Sequence, residues 1–185
     1  TYRPMLQPPL RAPSPASRLP DEDCVSAARR AMAAMELLLD QHAHEVAAVI
    51  VEPLIQGAGG MRMYHPIYLT LLREACDRYG VHLIHDEIAV GFGRTGSMFA
   101  CEQAGITPDF LVLSKALTGG FLPMAAVLTT DQVYAAFYDD YATLRAFLHS
   151  HTYTGKPLAC AAALATLDIF RDDQVIEANK LLAAR

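Results

Sequence analysis

An alternation of short apolar runs with helix-spaced segments most limits what this chain can fold into. Val46–Val51 (VAAVIV), Val81–His85 and Phe110–Leu113 are each a few residues long, apolar and rich in β-branched or aliphatic side chains. Between the first two lies Ile67–Tyr79, with Leu69, Leu72 and Ala75 on one face, Arg73 and Arg78 turned outward, and Gly80 as a C-cap. Strand, helix and strand in that order make a β-α-β unit, whose crossover is right-handed in nearly all proteins. Near-continuous apolar strands suit a sheet covered on both sides. The fold class predicted is therefore α/β, a mostly parallel sheet with helices on both faces, in which Val46–Val51 is a central strand.

The remaining segments fit that frame. Thr1–Pro20 holds six of the eleven prolines, which excludes helix and interior strand and predicts an extended connector. Asp21 or Asp23 then caps a helix running to about Gln41, with Val25, Ala28, Met32, Met35 and Leu39 along one face. Gly57, Gly59 and Gly60 form a loop that lacks the GxGxxG spacing, so as a phosphate cradle it is a weak signal. Further on come a short helix Ser97–Ala104, a strand Pro123–Leu128, and a helix from Thr130 or Asp131 to about Phe137. An irregular stretch Tyr138–His151 precedes a long helix Leu158–Phe170. The chain opens at Thr1 in proline-rich sequence and stops inside helix-like Asp172–Arg185, so both ends read as cut from something longer.

Bulk properties narrow the function. At 185 residues the chain has the length of one domain. A net charge of −5 provides no basic footprint for nucleic acid, and no uninterrupted apolar segment is long enough to span a membrane. The four cysteines show no paired spacing, which predicts reduced thiols in a cytoplasmic protein.

Two charged groups sit where chemistry is expected. Asp86 follows one predicted strand, and Lys115 follows the next by a single small residue, Ser114. Parallel neighbours bring their carboxyl ends to one edge of a sheet, where ligands of open α/β folds bind. A desolvated lysine amine attacks carbonyls; an isolated lysine at a strand end is more often an ordinary surface residue, but of Lys115, Lys156 and Lys180 only the first follows a strand. A carboxylate beside a ring nitrogen keeps it protonated. Pyridoxal phosphate requires this pair together with donors for its phosphate. His149–Gly155 (HSHTYTG) offers the hydroxyls of Ser150, Thr152 and Tyr153 before a helix N-terminus, although a plain N-cap explains one of them equally well. His82 and His85 beside Asp86-Glu87 raise the question of a metal. Their odd spacing puts them on opposite strand faces, so a hydrogen-bonded structural histidine is predicted and no metal.

Taken together, Asp86-Glu87-Ile88, Gly91, Arg94, Gly96, Asp109, Ser114-Lys115 and Gly119-Gly120 follow a known signature. The chain resembles the class III pyridoxal-phosphate aminotransferases of fold type I. VIVEPLIQGAGGMRMYHP (Val49–Pro66), DEIAVGFGRTGSMFACE (Asp86–Glu102), SKALTGG (Ser114–Gly120) and PLACAAALATLDIF (Pro157–Phe170) are most similar to members of that class acting in biotin synthesis. The resemblance implies transfer of an amino group from S-adenosylmethionine to 8-amino-7-oxononanoate, giving 7,8-diaminononanoate. The alternatives are another ω-aminotransferase using a diamine or ω-amino acid, or a non-catalytic α/β module.

By the same resemblance, residues 21–170 are the C-terminal part of the cofactor-binding large domain, and residues 171–185 begin the helix toward a small domain. Lys115 carries pyridoxal 5'-phosphate as a Schiff base and shuttles protons. Asp86 binds the pyridine nitrogen and Ile88 packs on the ring. Thr152, with His151 beside it, reaches the cofactor phosphate of a neighbouring subunit, implying a homodimer with shared active sites. Arg94 and Ser150 contact substrate. Departures from the family pattern are Ser150-His151 where Gly-Pro or Gly-Ser precedes the threonine, Lys156 where asparagine is usual, and Ala89 where many members have glutamine. The upstream phosphate loop, the stacking aromatic and the carboxylate-binding arginine have no counterpart in the chain. The expectation for the separate polypeptide is weak or no turnover and, unless a partner covers it, an exposed apolar sheet edge.

Overall fold

A computed structural model describes residues 9–184. Of the proline-rich connector, residues 1–8 lie outside the described part; residues 9–20 run without helix or strand, as their prolines require. The Ser14 hydroxyl bonds the Gln56 side chain, and Pro15 is buried.

Helix α1 (Cys24–His42) starts at Asp23, whose Oδ1 accepts the backbone N–H groups of Val25 at 2.8 Å and Ser26 at 3.0 Å. Two of its first-turn donors are thereby satisfied. The alanines of its inner face, Ala27, Ala28 and Ala31, let it lie close against α2 (Ile67–Tyr79), which ends at left-handed Gly80 (φ 67°). Leu69, Leu72 and Ala75 of α2 are fully buried with Leu83 and Met32, forming the larger core.

Strands β1 (Ala48–Val51), β4 (His82–Asp86), β5 (Phe110–Leu113) and β6 (Ala126–Thr129) form one sheet in that spatial order. The first three are mutually parallel, and β6 runs antiparallel to β5. The segment expected to be a central strand therefore lies at the rim: β1 pairs only with β4 among the described residues. Its Ile50 is 65% exposed, and Val127 of β6, on the opposite rim, is 59% exposed. The exposed apolar edge expected from the sequence is present on both sides. The glycine loop is the tip of a small hairpin, β2 (Ile55–Gln56) with β3 (Arg62–Met63), where Gly60 N–H donates to the Gly57 carbonyl at 3.1 Å. It opens no helix, so its glycines serve a turn.

Along β4 and β5 the side chains alternate. Leu83, His85, Leu111 and Leu113 are buried, whereas Ile84, Asp86, Phe110 and Val112 are half-buried, leaving one face more open. Asp109 sets the register. Its Oδ2 accepts Leu83 N–H at 2.7 Å and Arg73 Nη1 at 2.8 Å, and its own N–H donates to the Leu83 carbonyl at 2.9 Å. Against the cost of burial, the Leu83 N–H and the Arg73 guanidinium hold this carboxyl below its ordinary range.

The expected helix at Ser97–Ala104 is a single 3-10 turn, Ala100–Ala104. Helix α3 (Asp131–Ala135) is capped by Thr130, and residues 138–151 are exposed and irregular apart from a 3-10 turn at Tyr141–Thr143. The long helix α4 (Pro157–Asp172) has proline in its first turn, and α5 (Val175–Ala183) follows left-handed Gln174 (φ 53°). No helix among the described residues is long and apolar enough to cross a membrane.

Candidate active site

Asp86 is the last residue of β4 and pairs in register with Val112 of β5; Lys115 lies just beyond the end of β5. The ladder continues one step past Asp86, with Glu87 N–H donating to the Val112 carbonyl at 3.0 Å. The two groups are thus fixed to adjacent strand ends by backbone pairing rather than by a loop. Asp86 Oδ1 accepts Ile88 N–H at 3.1 Å, which holds the carboxylate, and its other oxygen takes no protein donor among the described residues. Ile88 is half-buried directly after it.

Lys115 has φ 33°, in the left-handed region, which costs a side-chain-bearing residue about 1–2 kcal/mol. Two hydroxyls hold it there. Ser114 Oγ donates to the Met124 carbonyl at 2.7 Å, and buried Thr118 Oγ1 donates to the Leu122 carbonyl at 2.6 Å. Between them the 3-10 turn Lys115–Thr118 begins with Leu117 N–H donating to the Ser114 carbonyl at 2.8 Å, and left-handed Gly119 ends it. The strain at Lys115 is therefore imposed by bonds on either side of it. An open hollow of about 680 Å³ is lined by Lys115, Ser114, Arg94, Met124, Thr166 and Phe170, among others.

Arg94 reaches this hollow from the turn Gly91–Gly96. Gly93 (φ 83°) and Gly96 (φ 91°) are needed there twice over. Each is left-handed, and a Cβ would come within 2.8 Å of Ile176 at the first and 3.0 Å of Ala183 at the second. Helix α5 packs directly on the turn, and Asn179 Nδ2 donates to the Gly93 carbonyl at 3.0 Å. The structure thus brings Lys115 and Arg94 to one hollow, with Asp86 on the neighbouring strand end. It does not bring Ser150, His151 and Thr152 there. All three are exposed, and the local bonds are His151 N–H to Thr154 Oγ1 at 3.2 Å and Tyr153 N–H to His151 Nδ1 at 3.1 Å. Sequence reading missed the two hydroxyl staples. The available signal was the placement of Ser114 and Thr118 one residue before and three after the lysine.

Behind Asp86, on the buried face, lie His85, Glu87 and Cys101, whose possible ligand atoms are all within 4.8 Å of one another. Both Glu87 oxygens are already engaged by backbone donors, Ala100 N–H at 2.7 Å and Cys101 N–H at 2.9 Å. As the spacing predicts, His82 is exposed and His85 buried. His85 is not hydrogen-bonded as expected, however: neither ring nitrogen has a partner among the described residues. Burial, with a smaller effect of the Arg73 charge, pushes its pKa from 6.5 down to about 4.

The unfolded chain takes up this proton below 6.5 and the folded chain only near 4, so the stability is full above 6.5 and is lost as pH falls toward 4. Burial raises the Glu87 carboxyl, which acts oppositely, because there the folded state binds its proton first. His85→Leu is expected to recover about 2 kcal/mol of the stability lost between pH 7 and pH 5. Urea unfolding of both proteins at the two pH values measures it, and an unchanged slope in the variant would assign the acid sensitivity to another group.

The class III aminotransferase family matches residues 1–184. The chain belongs to that family. It is 49% identical over 181 residues, 95% of its length, to the adenosylmethionine-8-amino-7-oxononanoate aminotransferase of Nitratidesulfovibrio vulgaris. It is 50% identical over 183 residues, 99% of its length, to the enzyme of the same name from Helicobacter pylori. It spans 33% and 40% of those two relatives. The crystal structure of the corresponding Methanocaldococcus jannaschii aminotransferase superposes with a TM-score of 0.76 at 46% identity, covering 80% of this chain and 34% of that one. The mixed α/β fold with a mostly parallel sheet is that of this family, in line with the sequence-based expectation.

Proposed function

We propose that the chain is the lysine-bearing portion of an aminotransferase that uses pyridoxal phosphate to move an amino group from S-adenosylmethionine onto 8-amino-7-oxononanoate. The observation that carries the reading is the placement of Asp86 and Lys115 on hydrogen-bonded parallel strand ends, with Lys115 opening on the same hollow as Arg94. The donor set fits the cofactor's ring: a carboxylate with an oxygen to spare and a primary amine on adjacent strands. When bound, the cofactor supplies a ring that withdraws electrons from the reacting carbon.

The chain's own residues would then divide the work. Asp86 holds a proton on the ring nitrogen, its carboxylate steadied by the bond from Ile88 N–H. Lys115 tethers the cofactor and moves a proton at the substrate carbon once displaced. Ile88 packs on one ring face, and Arg94 receives the far end of the substrate. Ser150, His151 and Thr152 stand away from this hollow. They serve the phosphate and substrate of a second copy in a homodimer with shared sites, which accounts for their exposure. The 185-residue polypeptide alone is expected to turn over weakly or not at all.

The test is a half-reaction in a polypeptide of the relatives' length. S-adenosylmethionine is expected to convert the bound pyridoxal form to the pyridoxamine form, followed by absorbance. Conversion by lysine or putrescine but not by S-adenosylmethionine would reassign the chain to the diamine-using members of the class.

A further inference from the structure

Glu87 is fully buried and directly follows Asp86, one step past the end of β4. Three hydrogen bonds converge on it. Its two carboxylate oxygens take Ala100 N–H and Cys101 N–H, at 2.7 and 2.9 Å, and its carbonyl takes Gly91 N–H at 3.0 Å. One residue therefore ties down both ends of the segment 88–99. That segment contains Ile88, the glycine turn and Arg94, the groups assigned above to ring and substrate. The turn's backbone runs close to this anchor: a Cβ at Gly91 would stand 3.0 Å from the Glu87 carbonyl. Within the segment, Gly93 N–H donates to the Met98 carbonyl at 3.2 Å and Gly96 N–H to the Gly93 carbonyl at 3.0 Å, so movement at the anchored ends passes to Arg94.

A carboxylate is an expensive anchor at such a site. It forms no ion pair among the described residues, and burial raises its pKa against the pull of the two N–H groups. Each of the two N–H donors nevertheless meets its own oxygen of the carboxylate, whereas glutamine offers one oxygen and turns an amide NH2 toward the other donor. We propose that Glu87 is a positioning residue for substrate recognition, setting the Arg94 turn against the lysine hollow. The inference rests on the reading that Arg94 contacts substrate, and the experiment separates the two.

A cycle of Glu87→Gln, Arg94→Ala and the double variant is made in a polypeptide of the relatives' length. KM for the amino acceptor, kcat and the visible absorbance of bound pyridoxal phosphate are measured for each. Arg94→Ala alone raises the acceptor KM tenfold or more. Glu87→Gln raises it about tenfold with kcat and absorbance kept, since Asp86 and Lys115 stand on paired strands. In the Arg94→Ala background the Glu87→Gln effect disappears, because both changes act through one side chain. If Glu87→Gln does not yield folded protein, Glu87→Asp keeps an acceptor-only group one methylene short and gives a smaller KM rise, again absent beside Arg94→Ala. An Arg94→Ala enzyme with normal KM removes the substrate reading itself. A raised KM in Arg94→Ala with none in the Glu87 variants, or a Glu87 effect that persists in the double variant, overturns the positioning role alone.

Discussion

Lys115→Ala is expected to abolish turnover in a polypeptide of the relatives' length and to remove the visible absorbance band that added pyridoxal phosphate otherwise produces. Among the described residues no other primary amine lines the hollow, so none of them can take over the covalent role proposed for it. The same position yields a second reading of opposite sign. The lysine is held at φ 33° by bonds at Ser114 and Thr118, a conformation glycine adopts without cost. Lys115→Gly should therefore be as inactive as the alanine variant yet unfold later, by about 1 kcal/mol. Thermal unfolding of the three proteins without cofactor measures this. Persistence of the band in either variant would remove the covalent assignment, and a glycine variant no more stable than wild type would remove the strain.

Asp86→Asn has the next largest expected effect. Asparagine retains an oxygen for Ile88 N–H, so the local turn and the stability should be kept, while the charge proposed to face a protonated ring nitrogen is lost. A charge pair about 4 Å apart is worth on the order of 4 kcal/mol at an effective dielectric near 20, which sets an upper bound near a thousandfold on the fall in kcat. The result expected is a loss of about a hundred- to a thousandfold with unfolding unchanged. Retention of wild-type kcat would place the ring nitrogen away from Asp86.

How far these groups were legible in the sequence follows from how local their signals are. The strands β4 and β5, the helix between β1 and β4, and the placement of Asp86 and Lys115 at neighbouring strand ends could be read because each depends on periodicity or on a charge beside an apolar run. The rim position of β1 could not. Val49, Ile50 and Val51 look the same whether or not a further strand lies beside them, and among the described residues none does. Glu87 was hidden for another reason. Its donors come from Ala100 and Cys101, and backbone N–H groups leave no mark in a sequence. His85 failed in the opposite sense, since a buried histidine is ordinarily paired and this one has no partner among the described residues. The family resemblance supplied roles for Ile88, Arg94, Ser150, His151 and Thr152 that spacing alone would not have assigned.

The alternation along β4 bears on which changes in length this region tolerates over generations. Asp86 points to the open face only because an even number of residues separates it from Ile84, while His85 and Glu87 point to the core by the same parity. Losing or gaining a single codon between Gly80 and Asp86 would swap the two sets, burying the Asp86 carboxylate and bringing the core pair to the surface. The hairpin tip at Gly57–Gly60, hydrogen-bonded among the described residues only to its own turn and the Glu52 side chain, has no such parity to keep. Insertions and deletions among natural variants should accumulate at the tip and be absent from the strand.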